Sequence, residues 1–392
     1  DGGGGAMLGW RLWSGFSERA MAERQAAGDL GDRFLTLHEI VKAARLRLAA
    51  DNWDFLTGAA ETETSLRRNR LALDSLGFRP RVLRDVSQID PQGELLGRKM
   101  RLPVVLAPIG SMEYFDREGA AGAARAAARH GLLQFVSSVS QPGLEAAAAA
   151  SPGRKIFQLY VRGDAAWVEE RVRRAADAGY EGFCFTVDTA HYSRRERDLA
   201  KRVVKRSSSD PAEHVFQAAL AWDQIKRFKD KFDLPLVIKG IATAEDAGTA
   251  CEHGAAIVYV SNHGGRQLDY GRGTIDILPE VVAAVRGRAE IIVDGGFYRG
   301  TDIIKAMALG ADAVAVGRLY VYGLAAAGEA GVLRVLELLE TEIVTSLGLL
   351  GITRFADLTP AHLSPAPPVT APHVTSAFPL LDLADPGYGG GR

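Results

Sequence analysis

The residues with the clearest chemical potential are Ser261-Asn262-His263-Gly264-Gly265-Arg266-Gln267-Leu268-Asp269. They follow Ala256-Ile257-Val258-Tyr259-Val260, an apolar, branched run with the length of a buried strand. A strand that ends in His, two glycines and Arg sets a titratable base beside a fixed cation, where backbone can pass close by. Histidine takes a proton near neutral pH, and arginine grips a carboxylate through two parallel hydrogen bonds. The pair suits a small substrate that carries a carboxylate and must lose a proton. A lone His-Gly-Gly reads more simply as a strand-to-helix loop, so the ends of the other strands decide the matter.

Those strands come in a regular series from about residue 100. Strand-like runs stand at Pro103–Ala107, Leu133–Ser137, Lys155–Tyr160, Gly182–Val187, Pro235–Lys239, Ala256–Val260, Glu290–Asp294 and Asp312–Val316. Helical patterns separate them, among them Gly119–His130, Ala165–Ala178, Ala244–His253 and Arg299–Leu309. This alternation matches a (β/α)8 TIM barrel better than a doubly wound sheet. An N-terminal helical segment precedes it: Leu35 to Ala50, with Leu37, Ile40, Val41, Ala44 and Leu46 at helical spacing, and Glu63 to Leu73. Arg197 to Leu220, after the fourth strand, is polar and carries Ser207-Ser208-Ser209-Asp210-Pro211, which reads as a loop or lid insertion. The expected division is a partly tag-like N-terminal extension over 1–34, the barrel domain over 35–358 and a proline-rich C-terminal tail over 359–392, wrapped outside.

In such barrels chemistry sits at the carboxyl ends of the strands. Here those ends are Ala107-Pro108-Ile109-Gly110, Ser137-Ser138, Gln158-Leu159-Tyr160, Thr186-Val187-Asp188, Lys239-Gly240, the His263 stretch, Asp294-Gly295-Gly296-Phe297-Tyr298-Arg299-Gly300 and Gly317-Arg318. Strand ends built for stability alone rarely collect all of these on one face. The two glycine- and arginine-bearing turns after strands seven and eight sit where barrels bind phosphate. Ser, Gln and Thr can hydrogen-bond a heteroaromatic rim, and Lys239 can stabilise negative charge developing on the ring. A phosphate at one side and a flat, polar-edged ring in the mouth describe FMN. A GxGxxG loop opening a helix is absent, which speaks against a Rossmann-bound dinucleotide.

This set, together with Arg194-Arg195-Glu196 and Ile238-Lys239-Gly240, resembles the FMN-dependent α-hydroxy-acid oxidase/dehydrogenase family over about Leu35 to Leu358. That family includes glycolate oxidase, lactate oxidase, lactate monooxygenase and mandelate dehydrogenase. The resemblance implies that His263 takes the substrate's proton while Asp188 orients the imidazole. It implies that Arg266 and Arg195 hold the substrate carboxylate, that Tyr160 bonds the substrate oxygen, and that Lys239 stabilises the reduced flavin. The flavin would then lie against Ala107, Pro108, Ile109, Gly110, Ser137, Gln158, Thr186, Lys239, Ser261, Asp294, Gly295, Gly296, Arg299, Gly317 and Arg318.

The chain also departs from the family. A Tyr-Asp-Tyr-Tyr segment is usual where this sequence has Trp53-Asp54-Phe55-Leu56, so Phe55 lacks a hydroxyl that helps bind the carboxylate. One such bond to a charged group is worth roughly 1.5–3 kcal/mol. Gly110 stands where relatives vary between Ala and Gly, and is expected to leave room for a larger α-substituent. Arg162 replaces an aromatic residue; pointing inward, it would meet a second acidic group on the substrate. Tyr114-Phe115-Asp116-Arg117-Glu118 replaces a His-Pro-Glu segment, with Asp116 expected to cap the next helix.

Composition fits a soluble, cytoplasmic enzyme. Net charge is -1 over 392 residues, so no strong field draws the chain to nucleic acid or an anionic membrane. Its two cysteines, Cys184 and Cys251, have no metal-ligand spacing, and no metal site is expected. No uninterrupted apolar run approaches the roughly 20 residues of a membrane span. The expected activity is oxidation of an L-2-hydroxy acid, aromatic or long-chained, to the 2-oxo acid, with oxygen as acceptor and a homo-oligomer (a tetramer by family analogy) as the assembly. The alternatives are a dehydrogenase with a quinone or protein acceptor, or the same fold and FMN acting on a modified peptide, amine or alcohol. From a different class comes a catalytically dead binding or scaffold protein.

Overall fold

The computed structural model describes residues 28–202 and 214–380. Eight parallel strands close into one barrel: β1 (Val104–Leu106), β2 (Leu133–Ser137), β3 (Lys155–Leu159), β4 (Phe183–Thr186), β5 (Leu236–Ile241), β6 (Ile257–Val260), β7 (Glu290–Val293) and β8 (Ala313–Val316). β8 pairs with β1 through Val314–Val104 and Val316–Leu106, which completes the circle. Nearly every strand residue is buried, because the barrel interior covers one face and the helices cover the other. The expected (β/α)8 architecture is the one observed.

The N-terminal helices form where their caps dictate. Thr36 accepts from the Glu39 N–H while the Glu39 carboxylate accepts from the Thr36 N–H, starting Leu37–Arg47. Leu37, Ile40, Val41 and Ala44 are buried on one face, but Leu46, expected in that stripe, is exposed. Helix Thr64–Asp74 starts under Asp269, whose carboxylate accepts from the Thr62 and Ser65 N–H groups and the Thr62 hydroxyl. A hairpin, Gly93–Leu95 with Arg98–Met100, closes the amino end of the barrel; its Leu96 N–H bonds Glu290 at the start of β7. The segment Leu363–Pro365 pairs antiparallel with Leu76–Phe78.

Two expectations need correction. The stretch Arg197–Leu220 is not simply a loop, because it contains helices Glu196–Ala200 and His214–Ala218. Gln217 anchors the second one, accepting from Val161 N–H and donating to Thr186 O, at the ends of β3 and β4. The Ser207–Pro211 run lies outside the described residues. Second, Arg318–Leu350 is a helical segment long and apolar enough to cross a membrane. Most of its apolar stretch is buried in the protein, and Ala327 and Gly328 break its helical geometry. Gly323 and Gly331 let the two parts of the kinked segment pack backbone to backbone, where a Cβ would overlap the opposite carbonyl.

His38 carries a consequence for stability. It is buried edge-on against Phe378, with Nε2 unpartnered, and burial followed by nearby Arg299 lowers its pKa to about 4. The unfolded chain therefore takes up this proton at higher pH than the folded one, and stability falls as pH drops from about 6.5 toward 4. His38→Leu is expected to flatten the fall in Tm over that range, as read by thermal denaturation at stepped pH.

Candidate active site

A cavity of about 600 Å³ opens at the carboxyl ends of the barrel strands. Most of the predicted site residues line it. Ala107, Pro108, Ile109 and Gly110 come from the end of β1, Tyr160 and Arg162 from β3, and Lys239 from β5. His263 and Arg266 follow β6, Asp294, Gly295 and Gly296 follow β7, and Gly317 and Arg318 follow β8. Phe55 and Arg195 complete the wall. A groove of about 750 Å³ between 79–85 and 351–362 is larger, but none of these strand-end residues lines it.

The turn after β6 explains the glycine pair. His263, Gly264 and Gly265 all adopt positive φ, at 59°, 62° and 79°. A Cβ on Gly265 would lie 2.5 Å from Leu66 N, and one on Gly264 would lie 2.7 Å from Arg318 Nη1. His263 has a side chain in this conformation, which is uncommon outside glycine. Its N–H donates to Ser261 Oγ at 3.0 Å, and the Asn262 side chain accepts from Gly265 N–H at 3.1 Å. Asn262 is itself held by reciprocal carboxamide bonds with Asn69 on helix Thr64–Asp74, at 2.8 and 2.9 Å.

The backbone twist delivers the imidazole between two partners. Nδ1 lies 3.1 Å from Asp188 Oδ1, and Nε2 lies 3.2 Å from the Tyr160 hydroxyl. With Nδ1–H donated to the carboxylate, Nε2 is left as the acceptor facing the cavity. Burial lowers the His263 pKa, and Lys239 adds to this, while Asp188 opposes it; the net shift is downward. Burial pushes Asp188 up, but His263 and Lys239 outweigh it and hold the carboxyl below its ordinary value. Burial, then Asp188, raises the Tyr160 phenol, so it stays protonated as a donor. The arrangement is a neutral base with a fixed tautomer beside a hydroxyl donor.

Arginines form the second feature. Arg195 and Arg266 stand over the Phe55 ring at 5.6 and 5.2 Å, a cation–π arrangement worth about 0.5–2 kcal/mol each. Arg266 also donates to the carbonyls of Phe55 and Gly58 at 2.8 Å. Arg318 donates to the carbonyls of Leu56, Gly58 and Gly264. Among the described residues none of the three is paired with a carboxylate. Burial, then mutual repulsion with Arg195 and Arg318, pulls the Arg266 pKa well below the usual arginine value. Half-buried cations on a cavity wall, with no carboxylate paired to them, call for an anionic ligand.

The remaining predicted residues lie behind the wall or away from it. Asp188 is behind His263. Ser137, Gln158, Thr186 and Ser261 are buried beneath the cavity floor. Gln158 donates to Thr186 Oγ1 at 2.9 Å and leaves its Oε1 buried without a partner. Lys239 Nζ lies 3.1 Å from Ser261 Oγ, which donates to Asp294 at 2.7 Å. Arg299 corrects the expectation of a phosphate ligand. Its guanidinium pairs with Glu342 at 2.6 Å, while Phe297 and Tyr298 take the cavity-facing positions of that turn. Gly110 is corrected too: a Cβ there would lie 2.7 Å from Val139 Cγ2, so Val139 fills the room expected beside it. Asp116 bonds the Glu118 N–H within the preceding turn, and Glu118, without a capping side-chain bond, is the N-cap of Gly119–Arg129.

Sequence reading passed over several residues that hold this site. Gln267 donates to the carbonyls of Asp188 and His191, tying the β6 loop to the β4 loop. Ser193 bonds the Arg266 carbonyl at 2.6 Å. Arg197 bonds Thr57 and Glu63, and Lys201 pairs with Asp54. Their signal was partly present: Gln267 and Asp269 belong to the quoted stretch, but only the fold shows whom they reach.

The residues fit FMN. Small residues at 107, 110 and 317 and positive-φ glycines at 295 and 296 form a cradle that flat rings and phosphate can approach closely. The orphaned Gln158 Oε1 and the Lys239 ammonium supply polar partners on the strand side. Comparison with known proteins agrees. The family model for FMN-dependent dehydrogenase matches residues 44–211 and 202–365. Glycolate oxidase 1 of Oryza sativa subsp. indica is 40% identical over 342 residues, 82% of this chain and 93% of that protein. Glycolate oxidase of Spinacia oleracea is 37% identical over 350 residues, 84% and 95% of the two chains. A mandelate oxidase structure with 3,3-difluoro-2-hydroxy-3-phenylpropionic acid superposes with TM-score 0.79 at 40% identity, covering 86% of this chain and all of that one. The chain belongs to the FMN-dependent α-hydroxy-acid oxidase and dehydrogenase family, and is an oxidoreductase that uses FMN to act on hydroxy acids.

Proposed function

We propose that this protein oxidises an L-2-hydroxy acid to the 2-oxo acid with His263 as base and oxygen as electron acceptor. The observation that carries this reading is the His263 imidazole, tied at Nδ1 to Asp188 and facing the cavity and the Tyr160 hydroxyl at Nε2, with Arg195 and Arg266 on the wall and no carboxylate paired to them among the described residues. Glycolate and mandelate oxidases among the relatives support both the substrate class and the acceptor.

Arg266 and Arg195 bind the carboxylate and so fix the α-carbon relative to His263. The Tyr160 hydroxyl donates to the substrate oxygen. His263 Nε2 takes a proton, and Asp188 stabilises the resulting imidazolium. The glycine turns and Arg318 would hold the FMN phosphate and Gln158 and Lys239 its ring, and the cofactor would supply a two-electron acceptor. The substrate gives up two electrons and two protons; oxygen receiving both leaves hydrogen peroxide. Phe55 presents a ring face to the two arginines, so the carboxylate site has charge but no hydroxyl from this position.

Mixing FMN-loaded protein anaerobically with 2-hydroxy acids from glycolate and lactate to mandelate and long-chain acids tests the reading. Bleaching by one enantiomer series, with colour restored by air, is expected. Bleaching that air does not reverse would point to a quinone or protein acceptor, and no bleaching by any acid would overturn the substrate class. His263→Ala is expected to keep the yellow flavin and lose about 10²–10⁴-fold in the rate of reduction. The wild-type rate should rise with pH through a pKa below 6.5 and level off by neutrality, because the neutral imidazole is the active form. Asp188→Asn removes the charge that raises this pKa, so the inflection should move lower still, as read in pre-steady-state pH profiles. Phe55→Tyr is expected to lower KM for lactate by about tenfold; an unchanged KM would show that position 55 does not reach the carboxylate.

A further inference from the structure

Among the described residues, Arg162 is the arginine on the cavity wall that the reaction leaves without a task. It lies two residues beyond Tyr160, and the two side chains line the same cavity. Val161 between them turns away: it is buried, with its N–H bonded to Gln217. The Arg162 Nε is buried and has no partner among the described residues, and the side chain forms no ion pair there. Glu113 also lines the cavity, but its carboxylate accepts from the Gln141 N–H at 3.1 Å. Nor does Arg162 belong to the arginine cluster around Phe55, which consists of Arg195 and Arg266. A guanidinium cannot shed its charge by deprotonation at any working pH. Its side chain lines the cavity and no carboxylate among the described residues neutralises it, which makes it a site for an anionic acceptor.

We propose that Arg162 binds a second carboxylate at the far end of the substrate side chain, so that the preferred substrate is a 2-hydroxy diacid. The proposal rests on the reading of this cavity as a 2-hydroxy-acid site. Arg195 and Arg266 hold the carboxylate next to the reacting carbon, and Arg162 holds the distal one. The side chain between them spans the space beside Tyr160 and Tyr192. Arg162 sets specificity and touches neither the reacting carbon nor its proton.

The test compares the FMN-loaded wild type with Arg162→Met, which keeps the aliphatic stem and removes the charge. Four- and five-carbon L-2-hydroxy diacids are set against uncharged-chain 2-hydroxy monoacids of equal length. In the wild type, kcat/KM is expected to favour diacid over monoacid by about tenfold or more, and in Arg162→Met that ratio is expected to fall by about 10–100-fold, carried by KM. Titrating the oxidised flavin absorbance with the matching 2-oxo diacid should show the same loss of affinity without turnover. Monoacids preferred by the wild type, or an identical ratio in both proteins, would overturn the role of Arg162 while leaving the hydroxy-acid reading intact. Reduction of the flavin by neither class would overturn that reading, and this proposal with it.

Discussion

Three consecutive left-handed residues, His263 to Gly265, are the constraint on which the site depends. A non-glycine residue in this region costs on the order of 1–3 kcal/mol and persists only when its surroundings over-determine it. They do so here. Ser261 and Asn262 tie the turn from below, helix Thr64–Asp74 presses Leu66 against Gly265, and the Gly265 carbonyl accepts from Ala60 N–H at 3.0 Å. The same turn places the imidazole between Asp188 and Tyr160 and lets the Arg318 guanidinium pass over Gly264. The N-terminal helices, outside the barrel in sequence, are therefore part of the active site's frame.

Charge balance follows from that frame. Arg266 Nη1 and the Arg318 guanidinium reach the carbonyls of Phe55, Leu56 and Gly58, which engages part of their donors and leaves their charge unneutralised. Carbonyl dipoles and the Phe55 ring make a half-buried cation tolerable; a carboxylate would neutralise it and block the site. Elsewhere the fold does pair its buried arginines: Arg70, nearly inaccessible, is held by Asp302 and Asp74. The contrast marks the cavity as a place where positive charge is kept for a ligand.

Much of the frame was legible in the chain. β-branched runs separated by amphipathic helices produce a parallel barrel because each strand must be covered on both faces, and the observed strands fall within a residue or two of the expected ones. The Thr36–Glu39 cap was likewise local, since its partners are three residues apart. Misreadings arose where a side chain had a distant competitor. Arg299 looked like a phosphate ligand beside two glycines, yet Glu342, from the long C-terminal helix, takes it away. Gly110 looked like empty space, yet Val139 occupies it. Leu46 kept helical spacing, but nothing packs over its face.

The sequence by itself determined the order of elements, the family, and which residue types reach the carboxyl ends of the strands, because strand periodicity and turn chemistry are local properties. It also determined that the base and the cation share one loop. Only the tertiary structure decided which of those residues face the cavity. Asp188 meets His263 across 75 positions, Asp269 caps a helix more than 200 residues earlier, and the Arg162 Nε finds no partner among the described residues. Such pairings depend on barrel closure and on competition among all the acids and carbonyls within reach, and no stretch of sequence contains both sides of that competition.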